Sequence, residues 1–158
     1  MSQQPAMPTF RKDRLGGLMV VLQFSLIAGL GWVAAPPFLA GSASPLCWAI
    51  EACAAALGLW ALACNRPGNF NIRPTPRAGG VLIKGGPYRW VRHPMYSAVI
   101  LYGCGCAVSA PTPWSWLGIA ALIFVLTIKS SLEERWMLVE HPEYADYRVH
   151  TWRFMPGF

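Results

Sequence analysis

The feature that most constrains this chain is the distribution of charged residues along the sequence. All thirteen lysines and arginines lie in three clusters, at 11–14, 66–92 and 129–153. The segments between these clusters are long and apolar, and Glu51 is the only acidic residue inside one of them. Basic residues confined to the ends of apolar runs are typical of an integral membrane protein, where they mark the cytoplasmic side. This confinement argues against nucleic-acid binding, despite a formal net charge of +6.

The apolar runs predict four membrane-spanning helices. The first run is too long for the apolar core of a signal peptide, and about 20 residues are enough to cross a bilayer. Pro36-Pro37 is expected to end this first helix. No Lys, Arg, Asp or Glu occurs from His93 to Ile128, and Pro111-Thr112-Pro113 divides that stretch into a helical hairpin. The predicted spans are 15–35, 46–64, 94–110 and 114–130, with the last helix continuing to about 140.

Counting spans gives a topology. A chain that begins in the cytoplasm and crosses the inner membrane four times returns its C-terminus to the cytoplasm. The fourth helix is expected to leave the membrane near Lys129. Loop 65–93 and the C-terminal segment 131–158 then share the cytoplasmic face, and the loop is expected to fold over a site formed between them. We therefore predict one all-α integral membrane domain, 1–158, with four transmembrane helices, a C-terminal helical hairpin and a cytoplasmic cofactor site.

The stretch from Gly86 to Tyr96 reads Gly-Pro-Tyr-Arg-Trp-Val-Arg-His-Pro-Met-Tyr, an order that a plain membrane loop does not require. Gly86-Pro87 is a turn signal. Pro94 suits the first turn of a helix, where its missing amide costs no hydrogen bond. Arg92 and His93 should therefore lie at a helix entrance, whose free backbone donors and partial positive charge suit a carboxylate or phosphate.

The pattern Gly-Pro-Tyr-x-x-x-Arg-His-Pro-x-Tyr resembles the signature of the isoprenylcysteine carboxyl methyltransferase family, which is grouped with membrane phospholipid methyltransferases. The family's second block follows here as Glu133-Glu134-Arg135, Tyr144-Ala145-Asp146-Tyr147 and Trp152-Arg153-Phe154-Met155-Pro156. The resemblance covers roughly 69–158 and is to the short bacterial members. The chain departs from the family at His141-Pro142 and Ser97-Ala98, and the prenyl-cysteine substrate of the eukaryotic enzymes is not carried over.

The resemblance implies an S-adenosylmethionine-dependent integral membrane methyltransferase. Its acceptor would be a lipophilic or lipid-linked molecule among the membrane lipids. Arg92 and Glu134 are the implied catalytic residues, since the cofactor carboxylate needs a cation and its amine and sulfonium need anions or aromatic faces. The implied cofactor-binding residues are Gly86, Pro87, Tyr88, Arg92, His93, Pro94, Tyr96, Glu133, Glu134 and Tyr147.

Methyl transfer needs alignment and exclusion of water rather than a catalytic triad or a metal. The five cysteines have no Cys-x-x-Cys spacing, so no metal site is expected. Glu51 is expected to have a structural or interfacial role, and Gly103-Cys104-Gly105 to serve helix packing. Two other interpretations stay open: an NADPH-dependent membrane reductase of the sterol-reductase type, which should have many more helices, and a non-catalytic membrane scaffold.

Overall fold

The computed structural model describes residues 9–65 and 81–157, with side chains from residue 14 onward. The part of the predicted cytoplasmic loop from 66 to 80 lies outside the described residues. Within them there is no β-strand, only an isolated parallel bridge between Val91 and Trp152, so the predicted all-α class is confirmed for the described ranges. The elements are α1 (Thr9–Leu39), α2 (Pro45–Cys64), a 3-10 turn (Gly86–Arg89), α3 (Pro94–Ser109), α4 (Pro113–Glu140) and α5 (Tyr144–Val149).

Prolines fix the starts of α2, α3 and α4. Pro45, Pro94 and Pro113 each lie in the first turn of a helix, where no intrahelical amide bond is lost. The Thr112 hydroxyl caps α4 by accepting a hydrogen bond from the Ser115 amide at 3.1 Å. The starts predicted at 46, 94 and 114 therefore agree with the structure to within one residue.

The end predicted for the first helix is wrong, because α1 continues through Pro36 and Pro37 to Leu39. Proline's fixed φ is compatible with a helix, and the two missing amides remove donors without removing acceptors. The Pro36 carbonyl accepts from the Ala40 amide at 2.9 Å, and the Pro37 carbonyl accepts from the Ser42 amide at 2.9 Å. The prolines thus form the last turn of the helix rather than its boundary.

Helix α3 lies at the centre of the bundle and packs against α1, α2 and α4. Gly103 permits this approach, since a Cβ there would lie 2.5 Å from Ile119 and 3.4 Å from Leu30. Gly105 leaves room for the Glu51 carboxylate of α2, which lies 3.8 Å from the Cys106 sulfur. Both glycines therefore serve helix packing, and Glu51 links α2 to α3.

Among the described residues, three helices are long and apolar enough to cross a membrane: Arg14–Leu39, Pro45–Cys64 and Pro113–Glu140. Helix α3 has 16 residues, about 24 Å at 1.5 Å per residue, which is shorter than the roughly 30 Å hydrocarbon core. Large apolar side chains face outward from the bundle, with Trp32 82 % exposed. This surface fits lipid and not water, so the protein is embedded in a membrane.

The sequence predicts that the last helix leaves the membrane near Lys129. The structure instead buries this lysine. The residue is only 2 % exposed. Its ammonium donates a hydrogen bond to Gln23 Oε1 on α1 at 2.7 Å and lies 5.3 Å from the centroid of the Tyr96 ring. This lysine therefore belongs to the interior of the bundle, where it joins α4 to α1.

Candidate active site

The 3-10 turn that carries Pro87 and Tyr88 packs tightly against the end of α2. Gly86 begins this turn with φ +59°, a left-handed conformation that side-chain-bearing residues rarely adopt. A Cβ at this position would overlap the Cys64 sulfur. Gly86 is thus required by backbone geometry and close approach, and its place in the motif sets the path of the chain into α3.

The segment before α3 pairs with the C-terminal stretch through its backbone. The Arg92 amide donates to the Trp152 carbonyl at 2.8 Å, and the His93 amide donates to the Arg153 carbonyl at 3.1 Å. These two amides, at the entrance of α3, are therefore bonded within the protein. Their partners come from the second sequence block, so the main chain itself joins the two blocks.

Arg92 and Glu134 form the central ion pair of the site. Arg92 Nε donates to Glu134 Oε1 at 2.9 Å, and the two side chains are 9 % and 3 % exposed. Arg92 Nη1 also donates to the carbonyls of Arg148, at 3.0 Å, and of Thr151. One guanidinium therefore holds α4, α5 and the segment after α5 against the entrance of α3.

Further cations surround the same carboxylate. Glu134 Oε2 lies 3.4 Å from Arg148 Nε and 3.4 Å from Arg153 Nη2, while Oε1 lies 3.2 Å from His93 Nε2. Three guanidinium groups and an imidazole thus converge on one buried acid. We call Glu134, Arg92, Arg148 and Arg153 the Glu134 cluster.

Glu133 has a different environment from its neighbour. The Tyr96 hydroxyl donates to Glu133 Oε2 at 3.0 Å, and His93 Nδ1 lies 3.7 Å from the same oxygen. The His93 and Tyr96 rings are stacked, with centroids 5.3 Å apart, and the Phe154 ring is tilted against both. The Glu133 side chain is 31 % exposed, so this carboxylate, next to aromatic faces, is accessible to a ligand.

Two further predicted residues meet at the 3-10 turn. The Tyr147 hydroxyl donates to the Tyr88 carbonyl at 2.5 Å, which ties α5 to the turn. Burial, together with the negative charge of Glu133, raises the pKa of Tyr88 to about 12. Burial also raises the pKa of Tyr147, although the nearby Arg92 opposes the rise. Both phenols are therefore neutral near pH 7 and act as hydrogen-bonding groups rather than as anions.

An apolar cavity of about 350 Å³ adjoins the polar site. It lies between α2, the 3-10 turn, α3 and the C-terminal stretch, and the Phe154 ring that touches His93 and Tyr96 also lines it. Other lining residues are Leu57, Trp60, Ile100, Leu101 and Met155. The arrangement places an apolar cavity next to the charged residues of the site, and the Phe154 ring contacts both.

The structure brings together most of the predicted residues. Arg92, His93, Tyr96, Glu133 and Glu134 are linked directly, whereas Gly86, Pro87 and Pro94 shape the backbone around them. The predicted set omits four residues of the C-terminal segment that contact the site. They are Arg148 and Arg153 of the Glu134 cluster, Thr151, whose carbonyl accepts from Arg92, and Phe154. A signal was available for the two arginines, because a buried carboxylate requires compensating cations and few remain downstream of Glu134.

The profile of the family described as "Phospholipid methyltransferase" matches residues 49–143, which is more than half of the 158 residues. The matched region contains most of α2 and all of α3 and α4, including the Arg92–Glu134 pair. No curated protein matches the chain. The family match agrees with the resemblance in the two sequence blocks, and this chain belongs to the phospholipid methyltransferase family.

Proposed function

We propose that this protein transfers a methyl group from S-adenosylmethionine to a lipophilic acceptor at or within the membrane. Family membership implies methyl transfer to a membrane lipid-type substrate. The observation that carries the more specific proposal is the meeting of the Arg92-His93 and Glu133-Glu134 blocks beside an apolar cavity. A charged pocket suits the cofactor, and an adjoining apolar pocket suits the acceptor.

The charged and aromatic side chains of the site are suited to bind S-adenosylmethionine. Its amine and sulfonium are cationic, and Glu133 offers a partly exposed carboxylate next to the faces of Tyr96 and Phe154. Its carboxylate requires cations, and Arg148 and Arg153 are 47 % and 26 % exposed. The residues proposed to form this site are Gly86, Pro87, Tyr88, Arg92, His93, Pro94, Tyr96, Glu133, Glu134 and Tyr147.

The chain's own residues would contribute orientation and exclusion of water. The cofactor supplies an electrophilic methyl group whose bonding electrons remain on sulfur when the acceptor's lone pair forms the new bond. The Glu134 cluster holds His93, and through it the stacked Tyr96 ring, at a fixed position. The catalytic roles of Arg92 and Glu134 stay predictions, and every contact described for them is within the protein. For an amine acceptor, His93 and the carboxylates lie where a departing proton could be accepted.

The acceptor is proposed to occupy the apolar cavity with its hydrocarbon part. The cavity is lined almost entirely by apolar side chains and lies within a membrane-embedded bundle. A hydrocarbon chain there would place its polar end near Phe154, and therefore near His93 and Tyr96. The reacting atom of the acceptor can be a carboxylate oxygen, an amine nitrogen or a thiol sulfur in this proposal.

The proposal also includes a location. We place both termini in the cytoplasm, the site at the cytoplasmic face of the inner membrane, and the whole chain in one domain. The meeting of the two blocks supports a common membrane side for them, and the basic residues of 66–92 and 129–153 support the cytoplasmic side.

Ligand-dependent stability tests the cofactor. The detergent-purified protein is heated alone, with S-adenosylhomocysteine, and separately with NADPH. A ligand that binds only the folded state stabilises it by about 2.7 kcal/mol at a concentration 100 times its Kd. We expect a saturable rise of the unfolding midpoint with S-adenosylhomocysteine and none with NADPH.

Each other outcome points to a different class of protein. Stabilisation by NADPH alone would reject the methyltransferase and favour a membrane reductase. A folded protein that responds to neither ligand would favour a non-catalytic scaffold. Transfer of labelled methyl from S-adenosylmethionine into the organic phase of a membrane-lipid mixture then identifies the acceptor class.

A further inference from the structure

Tyr144 is a buried tyrosine that the proposed site does not yet include. It is the first residue of α5 and follows the turn at His141-Pro142, where its amide donates to the His141 carbonyl at 2.9 Å. The residue is 2 % exposed, and its ring is tilted against that of Tyr147 with centroids 5.7 Å apart. It lies just beyond the region that matches the family profile, 49–143.

Within the described residues, the Tyr144 hydroxyl is the only buried side-chain nitrogen or oxygen atom without a hydrogen-bond partner. The neighbouring tyrosines differ in this respect. Tyr147 donates to the Tyr88 carbonyl and Tyr96 donates to Glu133. A hydroxyl that is buried without a partner loses its hydrogen bonds to water and gains none in exchange. Folded proteins seldom leave such a group unsatisfied.

The charges around Tyr144 identify the kind of group that this hydroxyl can bind. Burial raises the pKa of the phenol, the negative charges of Glu134 and Glu133 raise it further, and Arg92 opposes them. The hydroxyl therefore stays protonated and neutral. It lies in the electrostatic field of Glu134 and Arg92 and beside the ring of Tyr147. A neutral donor next to an aromatic ring suits a sugar hydroxyl or a purine nitrogen better than a charged group.

We propose that the Tyr144 hydroxyl binds the nucleoside part of the cofactor. This inference rests on the proposed function, because the nucleoside is that of S-adenosylmethionine. The hydroxyl donates to a ribose oxygen or a purine nitrogen, and the cofactor thereby satisfies a group that the protein leaves unpaired. Tyr144 is then a binding residue that anchors the half of the cofactor remote from the methyl group.

Tyr144→Phe tests the assignment, since it removes the hydroxyl and little else. The Kd values of S-adenosylhomocysteine and of adenosine are measured by calorimetry for wild type and variant, together with the unfolding midpoints of both without ligand. We expect both Kd values to rise by about 3- to 10-fold, the effect of one lost neutral hydrogen bond. The ligand-free midpoint should not fall, because no internal bond is lost.

Tyr147→Phe is the matched control for stability. It removes the hydroxyl that is bonded to Tyr88, so its ligand-free midpoint should fall. A Tyr144→Phe midpoint that falls as far would mean that the hydroxyl is already bonded within the protein, and would overturn the proposal.

Unchanged ligand affinity in Tyr144→Phe would overturn the proposal while leaving the proposed function intact. A loss confined to S-adenosylhomocysteine, with adenosine affinity unchanged, would overturn the nucleoside assignment. A wild-type protein that fails to bind S-adenosylhomocysteine would instead reject the proposed function, and this assignment with it.

Discussion

Glu133 and Glu134 are adjacent in the sequence, yet their carboxylates have opposite surroundings. Successive residues of a helix point about 100° apart, so one side chain enters the protein while the other faces the site. The Glu134 side chain is 3 % exposed and is surrounded by the cations of the Glu134 cluster and by His93. The Glu133 side chain is 31 % exposed and has a tyrosine hydroxyl and an imidazole as partners. Glu134 therefore has mainly internal contacts, whereas Glu133 is open to a ligand.

Replacing each carboxylate by its amide should separate these two roles. Glu134→Gln leaves the surrounding guanidinium groups without a counter-charge. It should lower the free energy of unfolding by about 3 kcal/mol, the low end for a broken buried pair, because Arg148 and Arg153 are partly hydrated. Glu133→Gln can still accept from Tyr96, so its stability should change by less than about 1 kcal/mol, while the affinity for S-adenosylhomocysteine falls. Thermal unfolding and calorimetry measure the two effects.

Glu140→Gln removes the same charge from an exposed position on α4 and should change neither quantity. If Glu133→Gln bound S-adenosylhomocysteine as tightly as the Glu140→Gln control, Glu133 would not be the carboxylate that receives the cationic part of the cofactor. If Glu134→Gln were as stable as the control, the Glu134 cluster would not hold the two sequence blocks together.

At the level of elements, a buried polar contact joins α1 to α4 close to the proposed site. Lys129 Nζ on α4 donates to Gln23 Oε1 on α1 at 2.7 Å, and both residues are buried, at 2 % and 6 % exposure. The ammonium also lies 5.3 Å from the centroid of the Tyr96 ring, whose hydroxyl is bonded to Glu133. The first helix thus contacts the site through Lys129 and Tyr96, although it contributes no residue to the proposed set.

A double-mutant cycle measures this contact. Gln23→Leu leaves the buried ammonium without its amide acceptor and should lower the free energy of unfolding by about 1–3 kcal/mol. Adding Lys129→Met removes the stranded charge, so the double variant should recover most of that loss. Unfolding in detergent gives the four free energies and the coupling energy between the two positions. Additive losses in the double variant would mean that the two side chains do not interact.

The sequence predicts the elements better than the contacts between them. Helix starts at prolines are local properties, so Pro45, Pro94 and Pro113 marked them to within one residue. The end of α1 was missed because proline restricts only its own amide and the preceding residue. The burial of Lys129 was missed because its partner lies 106 residues away. The cationic partners of Glu134 were missed for the same reason: which arginine reaches it depends on how the C-terminal segment folds back.

For the molecule as a whole, a charged compartment and an apolar compartment lie side by side. The Glu134 cluster and Glu133 form the charged compartment, and the cavity of about 350 Å³ between α2 and α3 forms the apolar one. Phe154 contacts both. S-adenosylmethionine is water-soluble and a lipid acceptor is not. An enzyme that transfers a methyl group between them needs a polar site and an apolar site next to each other. In the proposed reaction, the C-terminal stretch brings both environments to Phe154, because it pairs with the segment before α3.

The size of the apolar compartment should therefore control acceptor use without affecting the cofactor. Leu101→Trp extends a ring into the cavity and should reduce methyl transfer from labelled S-adenosylmethionine into membrane lipid by roughly tenfold or more, since overfilling a packed space costs about 1–3 kcal/mol. The Kd of S-adenosylhomocysteine should stay within about twofold of wild type, because Leu101 lines the apolar cavity and is not one of the residues proposed to bind the cofactor. Leu117→Trp, on the exposed face of α4, adds the same ring outside the cavity and should leave transfer unchanged. A Leu101→Trp protein that methylates lipid as fast as the Leu117→Trp control would show that the acceptor reaches the methyl group by a route other than this cavity.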